Sequence, residues 1–299
     1  MFKTLTAAAL ATALSATTTT RADAPPTTAS VLAATTAADW RRPDPERTLY
    51  IDLDAGRVVI ELAPDFAPRH AGNIAALARA GWFDQARVVR AQDNYVVQWG
   101  RVDAEQAPGP RGGAAESLPA EFDRSADGLG FTPLSDGDVY APEVGWAAGF
   151  PAARDPDTGR AWLAHCYGMV GAGRGLAADS SDGGQLYVVI GHAPRHLDRN
   201  ITVVGRVLLG IEHLSVLPRG GGPLGFHEDD ADHVPLRAAR MAADLPESER
   251  LRIEVLRTDG AAFAQLVQAR RHRHEEWFID PVGRVELCNV PLPVRMAAD

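Results

Sequence analysis

The sequence predicts a mainly β fold, an antiparallel barrel or sandwich, and three observations carry that prediction. Two apolar runs alternate with period two around a tight turn: Leu49, Ile51 and Leu53 precede Asp54-Ala55-Gly56, and Val58, Ile60 and Leu62 follow it. Short apolar pieces then recur between turn residues at Val88-Val89, Tyr95 to Val97, Met169-Val170, Leu186 to Ile190 and Ile201 to Leu209. Helical patterns are few and short.

In chain order, residues 1–24 read as a secretory signal. Lys3 gives the positive start, Leu5 to Ala16 the short apolar core, and Ala22-Asp23-Ala24 the small-x-small cleavage site. Pro25 would hinder cleavage directly after Ala24, which leaves the exact bond open. With no cysteine near that site and no second long apolar run, the sequence predicts export without a membrane anchor, to the periplasm or beyond the cell. Residues 25–44, rich in Thr, Ala and Pro, read as a flexible leader.

The hairpin opens a domain spanning residues 45–244. Pro68 can start a helix, Ala71, Ile74, Leu77 and Ala78 give it an apolar stripe, and Gly81 fits its C-terminal cap. Ile211, Leu214 and Leu217 mark a second short helix, stopped by Pro218 and Gly220, and residues 219–230 read as glycine-rich acidic loop. Residues 101–165, with Pro108-Gly109-Pro110 and Asp155-Pro156-Asp157, read as a long loop insertion at the surface. Residues 245–299 form a small α+β appendage: a strand at Leu251 to Leu256, a helix at Gly260 to Arg271 and a last strand at Val285 to Val290.

Composition narrows the function. The chain has 299 residues, 45% hydrophobic and 23% charged, enough to bury a core and too apolar for a disordered polymer. A net charge of -9 argues against nucleic acid as a partner. Lys3 is the only lysine, so arginine is the default basic residue and no single arginine is informative by type alone. Cys166 and Cys288, in an oxidising compartment, either form one long-range disulfide or remain as two buried thiols. Oligomeric state is not readable.

Four stretches in order carry a resemblance. Val89-Arg90 followed by Asn94-Tyr95-Val96-Val97-Gln98-Trp99-Gly100 resembles the cyclophilin pattern in which F-x-R precedes F-x-x-Q-G-G. Gly168 to Arg174 is similar to the family's G-x-x-S-M-A stretch, Gly184 to Val189 to its G-S-Q-F-F-I strand, and Leu197 to Val207 to its L-D-x-x-x-x-V-F-G-x-V. The resemblance covers about residues 47–244 with the insertion set aside. It implies a closed eight-stranded antiparallel barrel capped by two helices, peptidyl-prolyl cis-trans isomerase activity without a cofactor, and proline-containing polypeptide clients. Carried over by position, Arg90 is the catalytic donor and Gln98 its polar partner. Tyr95, Val96, Tyr187 and Leu197 line a proline pocket, Gly173 and Arg174 lie beside the preceding residue, and Gln185 shares a strand face with Tyr187. His196 and Ile201 stand where the family often carries Trp and His or Tyr, Val96 where it often carries Met, and Trp99 where a Gly is expected. Tyr95 and Tyr187 replace phenylalanines and add hydroxyls that need partners. The donor survives and the pocket is reshaped, which leaves room for weak or narrow activity.

Competing constellations are weaker. The glycines at 168, 171, 173 and 175 lack the G-x-G-x-x-G spacing and lead into a turn. His192 and His196 are separated by Pro194, and neither they nor His272 and His274 have a completing ligand. His165-Cys166 sets a thiol next to a base, but adjacent side chains rarely face each other. The sequence therefore predicts an exported prolyl isomerase assisting the folding of exported proteins. The alternative is a noncatalytic peptide-binding module or chaperone that uses the same groove.

Overall fold

The hairpin forms as the alternation requires. Leu49 faces Ile60 and Ile51 faces Val58 across the ladder, and all four side chains enter the main core. The computed structural model describes residues 25–102 and 109–297, and the expected signal segment, residues 1–24, lies outside the described residues. Among these residues nine strands make one antiparallel sheet, in the order Val234–Pro235, Arg87–Ala91, Val96–Gly100, Leu186–Val189, Met169–Ala172, Val203–Leu209, Gly56–Leu62, Thr48–Leu53, Ala238–Met241.

The sheet is curled and open, which corrects the expected closed ring of eight: its first and last strands do not pair with each other. Both come from one stretch, residues 234–241, where Leu236 N–H donates to the Ala86 carbonyl and Arg237 N–H to the Asp52 carbonyl. The chain crosses from one edge to the other there, and a crossing segment cannot pair along its whole length with both. The helices Pro68–Ala80 and Ile211–Ser215 cap the interior through Ala71, Ile74, Leu77 and Leu214, and Gly81 ends the first with φ 79°.

Three expectations are corrected. The insertion is not a surface loop: it contains a five-stranded sheet ordered Arg124–Ser125, Arg160–Leu163, Phe150–Asp155, Glu143–Ala147, Phe131–Leu134. Of the residues that made it read as loop, Asp155-Pro156-Asp157 lies at the hairpin turn between Phe150–Asp155 and Arg160–Leu163. The leader is not a flexible chain either. Thr28–Ala33 is a helix closed by a Thr27–Ser30 capping box, Val31 and Trp40 are buried, and Trp40–Arg41 pairs with Ile253–Leu256. Its apolar residues find their partners in the appendage, far away in sequence, where composition gives no sign of them.

In the appendage Ile253–Leu256 is the strand and Ala261–Arg271 the helix, but Val285 to Val290 holds only the single turn Leu287–Asn289. There the Val285 N–H donates to Asp136 and Arg270 donates to the Asn289 carbonyl, so side chains take the groups a ladder would have used. The third strand of that sheet is Val294–Met296. Cys166 and Cys288 are joined by a disulfide, with Cα atoms 5.0 Å apart.

Leader, insertion and appendage share a second core with the back of the main sheet. Trp40, Trp146, Trp162 and Phe263 pack there with Ala63, Phe66, Met169 and Val203. The outer face of the hairpin is covered as well, Tyr50 and Val59 lying against Ile253 and Val255.

Candidate active site

An irregularity in the strand Arg87–Ala91 aims its arginine. Val88 pairs with Trp99, yet the next pair is Arg90 with Gln98, so Val89 is an extra residue between them. Strict alternation would turn Arg90 to the same side as Val88, which is fully buried in the core. With the extra residue Val88 and Ala91 both enter the core, and Arg90 faces outward beside Gln98.

The neighbouring strand continues that outward face. Leu186 and Val188 enter the core opposite Trp99 and Val97, which leaves Tyr187 opposite Gln98 and Val189 opposite Val96. Val96, Tyr187 and Val189 form a separate apolar cluster with Tyr95 and Ile201 against it. Gly171 pairs with Tyr187 from the other side, and a Cβ there would come within 2.2 Å of the Tyr187 ring. Only glycine allows the ring to lie flat on that strand.

Arg90 is tied at three points. Its Nε donates to the Leu224 carbonyl at 2.7 Å, its Nη2 to Gln92 Oε1, and its Nη1 to Gln98 Oε1 at 3.4 Å. Gln98 Nε2 in turn donates to Gln185 Oε1 at 3.2 Å. The Tyr95 and Phe226 rings stand 5.5 and 5.3 Å from the guanidinium carbon. Burial pushes the Arg90 pKa down, with Tyr95 and Tyr187 opposing, and an arginine so shifted still carries its charge at neutral pH. Three of the five guanidinium N–H groups are engaged, and the others can serve a substrate.

Of the residues singled out by sequence, the fold brings together Arg90, Gln98, Gln185, Tyr95, Val96, Tyr187 and Ile201. Gly173 joins them, its N–H donating to the Gln185 carbonyl and its Cα side facing Gln98. Arg174 turns elsewhere: its Nε donates to the Asn200 carbonyl and its guanidinium lies over Phe122. His196 is exposed and Leu197 half-buried on the turn Arg195–Leu197, and neither belongs to the cluster of Val96, Tyr187 and Val189. Sequence reasoning missed Gln92, just past the arginine's own strand, and Leu224 and Phe226, which meet the arginine from the loop read only as glycine-rich. For Gln92 the signal was its position two residues after Arg90. Among the described residues no group of three metal-binding side chains occurs, and no helix is long and apolar enough to cross a membrane.

Comparison with known proteins converges on one family. The model of the cyclophilin type peptidyl-prolyl cis-trans isomerase family matches residues 48–241. A probable peptidyl-prolyl cis-trans isomerase of Brucella suis biovar 1 is 24% identical over 186 residues, 59% of this chain and 74% of its own length. One from Brucella melitensis biotype 1 matches with the same identity and coverage. Among solved structures the chain is similar to cyclophilin AquaCyp293 from Hirschia baltica, with TM-score 0.69 and 26% identity over 91% of this chain and 98% of that one.

Proposed function

Since the chain belongs to the cyclophilin-type peptidyl-prolyl cis-trans isomerases, we propose that it turns X-Pro bonds of exported polypeptides in the groove between Arg90 and Tyr187, with Arg90 as the catalytic donor. The uncatalysed barrier is amide resonance, about 18–20 kcal/mol for a peptide bond, and X-Pro isomerisation unaided takes tens to hundreds of seconds. No covalent bond is made or broken. As the bond twists, the prolyl nitrogen recovers a lone pair that the planar amide had delocalised. A donor aimed at that nitrogen binds the twisted form more tightly than either planar one, and this difference accelerates the reaction.

The observation that carries the assignment is the tethering of Arg90 at Leu224, Gln92 and Gln98 beside an apolar floor. A guanidinium held in place need not reorganise as the lone pair develops. Tyr95, Val96, Tyr187 and Ile201 supply the apolar surface for the prolyl ring. Gln98, linked to Gln185, can hold a substrate carbonyl while it steadies Arg90. The test is proline-limited refolding of a small protein. Wild type should accelerate the slow phase, and Arg90→Ala should lose about 100-fold to 1,000-fold of that acceleration, the scale of one transition-state donor. No acceleration by wild type would reject the catalytic reading.

One observation favours a second role, the holding of a longer client. A depression of about 590 Å³ next to the His192–Arg195 turn is lined by Asp136 to Tyr140 of the insertion and by Arg284, Glu286 and Asn289 of the appendage. Val139 is 92% and Tyr140 51% exposed there. If this surface holds client, serine at both positions weakens acceleration of protein refolding and leaves a short peptide unaffected. Export rests on residues 1–24, and N-terminal sequencing of the protein recovered from the periplasm or the medium tests it.

A further inference from the structure

Behind the groove a line of buried polar side chains takes no part in the reaction just described. The Tyr187 hydroxyl meets His165 Nε2 at 2.9 Å, and Nδ1 of the same imidazole lies 2.9 Å from Asp198 Oδ1. The His165 backbone N–H donates to that same oxygen. Arg195 Nε donates to Asp198 Oδ2 at 2.6 Å, and its Nη1 and Nη2 reach Asp138 at 2.9 and 3.2 Å. His165 is 1% exposed, Arg195 3% and Tyr187 5%.

The order of donors follows from the two ends. A carboxylate only accepts, so His165 Nδ1 donates to Asp198, and in the neutral imidazole Nε2 then accepts from the Tyr187 O–H. The phenol is therefore held at its tip by His165 and along its face by Gly171, where a Cβ would fall 2.2 Å from the ring. A phenylalanine here would be held by packing alone.

We propose that His165 is a positioning residue for isomerisation. It fixes the Tyr187 ring at the floor of the proline pocket, with Asp198 and Arg195 fixing His165 and with Asp138 anchoring the line in the insertion. The proposal rests on the reading that Tyr187 floors that pocket. It also assigns a use to the hydroxyl that the sequence adds at this position, and to a histidine that adjacency to Cys166 made look like a candidate base.

The test is a double-substitution cycle on the full chain, reading KM and kcat for a short X-Pro peptide. His165→Ala should raise KM about tenfold, the scale of a misplaced binding surface. In the Tyr187→Phe background the same substitution should change KM by less than about twofold, because the contact it serves is already gone. An equal rise in both backgrounds, or none in either, overturns the proposal. A second readout needs no change at His165. Saturating peptide should shift the imidazole Nε2 resonance in wild type and leave it in place in Tyr187→Phe. An unmoved wild-type resonance, while the Gln98 side-chain amide does shift, contradicts the positioning role. If neither resonance moves, the failure lies with the groove itself.

Discussion

Arg90 reaches the groove only because Val89 is left out of the ladder with the Val96–Gly100 strand. The side chain that matters is thus placed by a neighbour of no chemical interest. Gln98 is the next residue to weigh, since it touches both Arg90 and Gln185. Gln98→Ala should lower kcat/KM for a short peptide by about tenfold while far-ultraviolet circular dichroism stays unchanged, because a supporting hydrogen bond to a charged group is worth about 1.5–3 kcal/mol. Gly171→Ala should cost about 1–3 kcal/mol in urea denaturation, the usual scale of overpacking, by driving a methyl group into the Tyr187 ring. Most of this site was legible in the sequence through its resemblance to the family's motifs, which carry Arg90, Tyr95, Gln98, Gln185 and Tyr187 by position on or beside three strands. His165 and Phe226 were not, because each arrives from a separate part of the chain and is recognisable only by what it touches. Arg174 was legible as a residue and not as a direction, its guanidinium being claimed by Asn200 and Phe122.

At the scale of elements, turn residues obscured strands. Glu143–Ala147, Phe150–Asp155 and Arg160–Leu163 are short, and the Gly and Asp residues between them made one long loop of a sheet. The apolar residues Val144, Trp146, Phe150 and Trp162 were present all along, but their partners lie in the appendage and the leader. Trp146 meets Phe263 edge to face at 4.8 Å. Trp146→Ala should destabilise the protein by about 3–5 kcal/mol, read as a lowered thermal midpoint. The buried line behind the groove adds a pH dependence. Burial alone would push the Asp198 carboxyl up, but the hydrogen bond from His165 and the charge of Arg195 outweigh it and hold the group below the usual range. Its contribution to stability is therefore complete above the unfolded value of about 3.9 and is lost as pH falls through the lower folded value. Urea midpoints should drop more steeply between about pH 5 and about pH 2 in wild type than in Asp198→Asn. Equal slopes would mean that the carboxyl titrates alike in both states.

Across the whole molecule, two cores share one wall. The central sheet faces its capping helices on one side, and Met169 and Val203 at its back belong to the core built with leader, insertion and appendage. Cys166 and Cys288 tie the approach to the Met169–Ala172 strand to the appendage over a separation of 122 residues. Removal of that disulfide should cost about 2–5 kcal/mol, read by urea denaturation with and without reductant. The catalytic claim is tested most directly by following cis-trans exchange of an X-Pro peptide by NMR at saturating peptide, where binding no longer limits the rate. Arg90→Ala should still bind the peptide but exchange it about 100-fold to 1,000-fold more slowly than wild type. Equal exchange rates in the two proteins would mean that Arg90 is not the catalytic donor.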